Sequence, residues 1–254
     1  MLYIIAFIFG SIWGSFSNVC IHRIPKNMGI IKDRSICPNC QKMIKWYDNI
    51  PLLSFIILKA QCRNCSADIS WNYFVVELIA AISFVIIFYF FGISFTTLLF
   101  FILSICFIVI FFIDLKHFII PNEITYPLMV IGFLKSFDPN LNTNLFPNFL
   151  NSLIGGLFGF AIIWLIIFIY KKLRNKEGMG LGDAKLLSAM GFWFGWVSIP
   201  FIIFFSSAIA LLSVIPDLIK NKKKLSSQIP FGPHLIIGNI IFITFVDQIK
   251  LFLI

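Results

Sequence analysis

The sequence has few charged side chains. Asp, Glu, Lys and Arg make up 12% of the 254 residues, whereas soluble domains carry about 25%. Hydrophobic residues make up 59%, and the mean hydropathy is +0.96. This composition excludes a soluble globular domain. It predicts an all-α polytopic membrane protein, because a helix satisfies its own backbone hydrogen bonds in lipid.

Several catalytic and binding patterns are also missing. The three histidines, His22, His117 and His234, do not have the spacing of a metal site, and no serine lies in a nucleophile elbow. No G-x-G-x-x-G follows a predicted strand, so no dinucleotide-binding fold is indicated. The net charge of +9 is explained by the topology below, so we expect no nucleic-acid partner.

Apolar segments cover most of the chain, and each membrane-spanning helix needs about 20 apolar residues, or fewer if it is buried. The first segment lacks a basic start and a small-residue cleavage site, so we expect a retained helix and not a signal peptide. The fourth and sixth segments are short and interrupted by Gly or Pro. We predict eight spans, near residues 1–21, 73–91, 95–113, 121–137, 148–170, 184–197, 198–219 and 234–254.

The basic residues predict how these spans are oriented. Of the 20 Lys and Arg residues, all except Lys135 and Lys250 fall in alternate loops on one side. Basic loops face the cytoplasm, so we expect the N-terminus outside. The chain then consists of a first helix (1–21), a small cytoplasmic domain (22–72) and a helical membrane domain (73–254).

The cytoplasmic domain contains two C-x-x-C pairs with 21 residues between them, Cys37 with Cys40 and Cys62 with Cys65. Two such pairs can complete a tetrahedral four-sulfur shell for structural zinc. Disulfides or redox thiols remain alternatives, although the reducing cytoplasm disfavours them. Cys20 and Cys106 lie in apolar spans and are expected to be ordinary packed residues.

Two aspartates lie at the cytoplasmic boundary, Asp114 at the end of the third span and Asp183 at the start of the sixth. Carboxylates near hydrocarbon are costly and are therefore functional candidates. A pair that meets can activate water between two acids. Gly180 and Gly182 would supply positive φ angles and a close approach for an extended substrate chain. Alternatively, this stretch is a loop in which Asp183 is a helix N-cap.

Two further acids lie near the cytoplasmic side. Glu77 is in the second span, and Glu123 follows Asp114 closely. Either carboxylate could bind a basic segment of a substrate. Capping or salt bridging within the protein is the alternative for both. Gly155, Gly156 and Gly159 in the fifth span predict close packing of that helix against a neighbour.

Several blocks of the sequence resemble those of the type IV prepilin peptidases, a bacterial family of G-x-G-D aspartic peptidases. The resemblance runs in order from residue 14 to residue 233, and the blocks together are highly specific. One departure is Phe74, where the family often has proline. The matching blocks are Gly14–Val19 with Arg23 and Pro25, the two cysteine pairs, Asp48–Ser54, Ile69–Tyr73 before Glu77, Asp114 with Ile120–Asn122, Glu177–Leu186, and Ile229–Pro233.

The resemblance implies a bifunctional enzyme of the bacterial inner membrane. It would cleave the basic leader of prepilins and pseudopilins at the cytoplasmic face, with Asp114 and Asp183 as the catalytic pair in residues 73–254. It would then methylate the new N-terminal residue using S-adenosylmethionine. The expected partners are these precursors and membrane lipid. Alternatives are a related peptidase acting on preflagellin-type precursors, and an ion-coupled transporter using the two acids as relay groups.

Overall fold

The regular structure of the chain is helical. The computed structural model describes residues 1–30, 35–141, 145–175, 179–219 and 229–253, and in these ranges the only strand pairing consists of two isolated bridges. The α-helices are α1 (Leu2–Arg23), α2 (Leu53–Ile57), α3 (Trp71–Phe91), α4 (Phe95–His117), α5 (Asn122–Leu134), α6 (Phe149–Arg174), α7 (Leu181–Phe194), α8 (Ser198–Ile219), α9 (Gly232–Thr244) and α10 (Val246–Leu253).

Five described helices are long and apolar enough to cross a membrane, which confirms a multi-pass helical membrane protein. They lie at Leu2–Lys26, Trp71–Phe91, Phe95–His117, Phe149–Arg174 and Ser198–Ile215. The predicted spans at 121–137 and 184–197 correspond to α5 and α7, of 13 and 14 residues. The predicted span at 234–254 is divided at Phe245 into α9 and α10. The count of eight spans therefore stays a prediction.

The chain forms two compact units, residues 1–109 and 110–254. In the first unit α1 packs closely against α3. A Cβ atom at Gly10 would lie 2.7 Å from the carbonyl oxygen of Ala80, and one at Gly14 would lie 2.7 Å from the Cα atom of Glu77. Glycine at these positions thus lets the two backbones touch. The division into 1–21, 22–72 and 73–254 stays a prediction.

In the second unit α7 is buried between neighbouring helices, chiefly α6 and α5. A Cβ atom at Gly159 of α6 would lie 2.8 Å from the carbonyl oxygen of Leu187. Two serines reinforce the contact, because Ser152 Oγ donates to Phe192 O (2.7 Å) and Ser188 Oγ donates to Gly156 O (2.8 Å). The predicted close packing of α6 is confirmed. Since Asp183 lies in the first turn of α7, this packing also fixes its position.

Lys135 is one of the two basic residues away from the basic loops, and the structure gives it a partner. Its side chain is 6% exposed, and Nζ donates to the carbonyl oxygen of Trp193 at 2.7 Å. Nζ also lies 3.9 Å from the centroid of the Phe146 ring. A side-chain donor satisfies a carbonyl group that a helix C-terminus leaves without a partner. Lys135 therefore caps α7 at the end opposite Asp183.

Candidate active site

Asp114 lies in the last turn of α4 and is 4% exposed. Its Oδ2 accepts a hydrogen bond of 2.9 Å from the backbone N–H of Gly232. This N–H is available because Gly232 is the first residue of α9, where backbone donors have no partner within the helix. A Cβ atom at residue 232 would lie 2.7 Å from Oδ2, so glycine is needed for the contact.

Asp183 is the third residue of α7 and is 8% exposed. The N-cap of the helix is Gly180 and not Asp183, so the alternative of Asp183 as an N-cap is wrong. The Asp183 carboxylate instead accepts a hydrogen bond from the Gly180 N–H, as an acid at this helix position commonly does. The reason is that the helix starts two residues before Asp183, at Leu181.

The two aspartates come together from separate helices. Asp183 lies outside the five long spans, and burial, then the Asp114 charge, raises its pKa to about 7. The carboxylates are therefore close enough for one to influence the protonation of the other. Two such groups titrate as a pair that favours a single shared proton. This is the arrangement that water activation between two acids requires.

The connection after α4 packs against the start of α7, which holds Asp183, and against the start of α9, whose Gly232 binds Asp114. A Cβ atom at Gly182 would lie 2.9 Å from Ile120 Cβ, and one at Gly232 would lie 3.2 Å from Ile120 Cδ1. Lys185 Nζ also donates to Asn122 Oδ1 at 2.7 Å. Three separate stretches of the sequence thus meet around Ile120, and two of them contribute an acid.

The expected role of the glycines needs a correction. Neither Gly180 nor Gly182 has a positive φ; that of Gly180 is −82°. The reason is that Gly182 is already helical, and its missing side chain makes room for Ile120. At Gly180 the nearest described atom to an added Cβ would be Asp183 Oδ2, 3.7 Å away. Gly180 therefore keeps space beside the carboxylate, and its predicted role in substrate approach stays a prediction.

The Gly232 N–H that donates to Asp114 was missed by sequence reasoning. The buried side chain of His234 follows two residues later on the same helix. A signal was present, because Pro233 directly after Gly232 is typical of the start of a helix. The backbone N–H groups in the first turn of that helix have no partner within the helix, so they were candidate donors to a buried carboxylate.

The other two candidate acids have different surroundings. Glu77 is 8% exposed, and its Oε2 accepts a hydrogen bond of 2.8 Å from the N–H of Leu52, whose φ is +61°. This contact stabilises the left-handed backbone conformation of Leu52 in the first unit. Glu123 is exposed in the first turn of α5. Binding of a substrate leader by either acid stays a prediction.

The four predicted metal ligands lie together in the first unit. The Sγ atoms of Cys37, Cys40, Cys62 and Cys65 are all within 4.8 Å of one another, and Cys37 and Cys65 are 3.8 Å apart. Bonds of about 2.3 Å from a tetrahedral zinc ion place two sulfurs about 3.8 Å apart. A disulfide needs about 2.05 Å. The cysteines are free, and the spacing fits a metal.

The two cysteine pairs have the same local structure. The N–H of Cys37 donates to Lys42 O (3.0 Å), and the N–H of Cys62 donates to Ala67 O (2.8 Å). The residue after the second cysteine is left-handed in each, with φ of 55° at Gln41 and 54° at Ser66. The two turns therefore have the same form, and backbone N–H groups of these turns donate to the sulfurs of Cys37 and Cys65.

These N–H groups favour the thiolate form of Cys37 and Cys65. Hydrogen bonds from the backbone of Cys40, then of Asn39, lower the pKa of Cys37 to about 6. The Ala67 N–H likewise lowers the pKa of Cys65. The cluster could hold a metal ion, and its four sulfurs would then fill a tetrahedral shell.

Comparison with known proteins identifies the family. The profile of the bacterial peptidase A24 N-terminal domain matches residues 8–91, and that of the type IV leader peptidase family matches residues 101–215. The chain belongs to the type IV leader peptidase family. Asp114 and Asp183 both fall within the second match, and all four clustered cysteines fall within the first.

Relatives in this family match over nearly their whole length. Each of the following is named a prepilin leader peptidase/N-methyltransferase. The protein from Vibrio cholerae is 36% identical over 94% of this chain and 96% of its own. Those from Aeromonas salmonicida and Pseudomonas aeruginosa are 32% and 31% identical, over 96% and 94% of this chain and 91% and 89% of their own. No solved structure matches the chain.

Family relatives with this double name require a methyl donor, so a cavity of the first unit is of interest. Its volume is about 760 Å³, and it lies between one face of α1 and residues 46–53. S-adenosylmethionine carries a sulfonium, an ammonium and a carboxylate. Among the described residues no charged side chain lines this cavity; Ser11, Ser15 and Asn49 are its hydrogen-bonding side chains apart from Trp46. The cavity does not fit the methyl donor, and we assign no donor-binding residue there.

Proposed function

We propose that this protein is a prepilin leader peptidase and N-methyltransferase of the bacterial inner membrane. It cleaves the basic leader of prepilins and pseudopilins at the cytoplasmic face. The observation that carries the proposal is the meeting of Asp114 and Asp183. They come from different helices, are almost fully buried, and interact electrostatically. The proposal is supported by the names of the family relatives.

The paired acids suit hydrolysis of a peptide bond. The ionised aspartate takes a proton from water as the water oxygen attacks the scissile carbonyl carbon. The protonated aspartate donates a hydrogen bond, and then its proton, to the carbonyl oxygen. Burial strengthens both interactions because little water competes for them. The raised pKa of Asp183 supplies a carboxyl group that can be protonated near neutral pH.

The substrate would be held by both lipid and protein. Its apolar helix would remain in the bilayer, and its basic leader would remain in the cytoplasm. Glu123 is exposed beside the first turn of α5 and can offer its carboxylate to a basic leader. Glu77 would be a second leader-binding acid. One of its oxygens already accepts a hydrogen bond from Leu52, and the other remains for a basic group. Gly180 leaves room for the extended chain beside Asp183.

Zinc is the metal that we propose for the four-cysteine cluster, with Cys37, Cys40, Cys62 and Cys65 as ligands. Its role would be structural, because a short segment with few large apolar side chains needs an additional cross-link to fold. We expect this segment in the cytoplasm and the N-terminus outside, because basic loops are retained in the cytoplasm. In that compartment thiols remain reduced and available for metal binding.

Methylation would use S-adenosylmethionine, as the names of the relatives suggest. The methyl donor supplies an electrophilic carbon to the amine that cleavage has released. The residues of this chain that would bind the donor are not assigned.

The proposed function predicts two separable reactions on one substrate. The purified protein in detergent, incubated with a prepilin, should release the leader without S-adenosylmethionine. With S-adenosylmethionine, the mature product should gain one methyl group on its new N-terminal nitrogen. Mass spectrometry of the products measures both. An intact prepilin after incubation with folded protein would contradict the peptidase assignment, and cleavage without methyl transfer would contradict the second activity.

A further inference from the structure

The cysteine domain (residues 35–72) contains ten uncharged residues in a row, Asn49–Leu58. This apolar segment includes the short helix α2. Three large side chains of α2 face away from the rest of the chain, because Leu53, Ile56 and Ile57 are 57%, 61% and 71% exposed. Exposed apolar side chains that cluster in this way mark an interaction surface.

The apolar segment lies beside the membrane-spanning helices of the same unit and not beyond their ends. The N–H of Leu52 donates to Oε2 of Glu77 at 2.8 Å. Glu77 is the seventh residue of α3, about 9 Å along the axis from the helix start. Residues 46–53 also line one cavity together with the face of α1 from Phe7 to Val19. Leu52 therefore lies at the depth of the membrane leaflet next to the cysteine domain.

Phe55 shows the level of α2. Its ring centroid lies 5.0 Å from that of Trp71 and 5.2 Å from that of Phe74, both in the first turn of α3. Trp71 is 66% exposed, and exposed tryptophans are enriched where a membrane meets water. The segment thus has α2 at the membrane interface and Leu52 deeper.

The backbone of the apolar segment suits a medium without water, in which each N–H needs a partner within the protein. Pro51 has no N–H. The next N–H, that of Leu52, is bound by the Glu77 carboxylate. Neighbouring donors bind carbonyl oxygens of the segment itself: Leu53 N–H to Pro51 O (2.7 Å), Ser54 N–H to Ile50 O (3.0 Å), Ile56 N–H to Leu52 O (3.3 Å) and Leu58 N–H to Ser54 O (2.9 Å).

The charged residues around the segment suit the surface of an anionic membrane. Asp48, at one edge, is neutralised by Arg63, whose Nη2 lies 2.6 Å from Asp48 Oδ1. Lys59, at the other edge, is exposed, and so is Lys45. Basic groups beside an inserted apolar segment are attracted to anionic lipid headgroups. Lipid is therefore the partner that fits both the apolar and the basic part of this surface.

We propose that the apolar segment is embedded in the membrane leaflet next to the cysteine domain, with Leu53, Ile56 and Ile57 in contact with lipid acyl chains. Glu77 is the anchor of the segment, because it binds the Leu52 N–H at this depth. The cysteine domain is then held at the membrane surface by this segment as well as by α1 and α3. The proposal does not depend on the peptidase or methyltransferase reaction.

Spin labels placed one at a time at Leu53, Ile56 and Ile57 test the proposal in the full chain. A p-acetylphenylalanine at each position carries the nitroxide through a ketoxime bond, so the cysteines are not modified. The protein is reconstituted in vesicles of phosphatidylethanolamine and phosphatidylglycerol. Power-saturation EPR then compares collisions with oxygen, which concentrates in lipid, and with a water-soluble nickel chelate. All three labels should collide more with oxygen than with nickel.

Two exposed positions of the same unit are the controls. A label at Ile82, 45% exposed on α3, should give the result for lipid. A label at Asn64, exposed between Cys62 and Cys65, should give the result for water. More collisions with nickel than with oxygen at all three test positions would overturn the proposal. Few collisions with either reagent, the result for a surface covered by protein, would also overturn it.

The anchoring role of Glu77 is tested with the label at Leu53. In Glu77→Leu the Leu52 N–H loses its acceptor, so the ratio of oxygen to nickel collisions should fall. In Glu77→Gln the amide oxygen still accepts, so the ratio should remain near that of the wild type. The label at Ile82 shows whether α3 of each variant is still in the membrane. A ratio that Glu77→Leu leaves unchanged would contradict the anchoring role.

Discussion

At the scale of single residues, the acids were predictable and their partners were not. Charge is scarce in this chain, so Asp114 and Asp183 stand out against apolar surroundings. The contact between Asp114 and the Gly232 N–H joins positions 118 residues apart and uses a backbone group that nearly every residue has. No pattern in the sequence singles out one N–H. The need for glycine at residue 232, where a Cβ atom would collide with Asp114, likewise follows only from the folded structure.

A methyl group at residue 232 should therefore damage the site. In Gly232→Ala the new Cβ would collide with Asp114 Oδ2 and displace it. We expect cleavage of a prepilin to fall by about 100-fold, since misplacement by about 1 Å can have that effect. Gly29→Ala is the matched control, because an added Cβ there meets no atom within 4 Å. Normal cleavage by Gly232→Ala would contradict the role of this contact.

At the scale of elements, hydropathy predicted which segments are helical better than it predicted where each helix begins and ends. α7 was expected over 184–197 but runs from Leu181 to Phe194, because Gly195 ends it with a φ of +81°. A helix enclosed by other helices is as apolar as one that faces lipid. The sequence did indicate that α5 and α7 are short, because Gly or Pro interrupts their segments, but composition could not show that α9 ends at Thr244. The cysteine cluster was fully predictable, since C-x-x-C spacing determines the local turn.

Metal analysis of the purified protein tests whether the cysteine cluster binds zinc. We expect about one zinc ion per chain in the purified protein. Cys65→Ser should reduce the zinc content and make residues 35–72 more sensitive to protease, because the two cysteine pairs would no longer be linked. Cys106→Ser is the control and should keep its zinc, since Cys106 is not part of the cluster. Zinc-free wild-type protein with four freely alkylated thiols would contradict this prediction.

At the scale of the whole molecule, the class and family followed from composition and ordered motifs. The basic loops also gave an orientation, which the structure of the isolated chain does not test. Lys135 weakens one objection to it. This residue seemed to place a positive charge on the outer side, but it is buried as a cap of α7. Glu177 and Gly178 of the Glu177–Leu186 block and the basic run Lys220–Lys224 lie outside the described residues.

Reporter fusions test the orientation directly. Fusions at Ala60 and Asn175 should report the cytoplasm, and a fusion at Asn140 should report the outside, because basic loops are retained in the cytoplasm. Expression of each fusion, measured by immunoblot, is the control for a reporter that is inactive through degradation. A cytoplasmic signal at Asn140 would be incompatible with the eight-span arrangement.

The central claim is that Asp114 and Asp183 form one catalytic unit, and cleavage of a prepilin by purified variants tests it most directly. Asp114→Asn and Asp183→Asn should each abolish leader release while folding and membrane insertion remain normal, because an amide keeps the shape but cannot share the proton. The double variant should be no worse than either single one. Asp138→Asn should cleave normally, since its Oδ1 only accepts from Asn140 and an amide oxygen can replace it. Cleavage near the wild-type rate by either Asp114→Asn or Asp183→Asn would contradict the paired-aspartate mechanism.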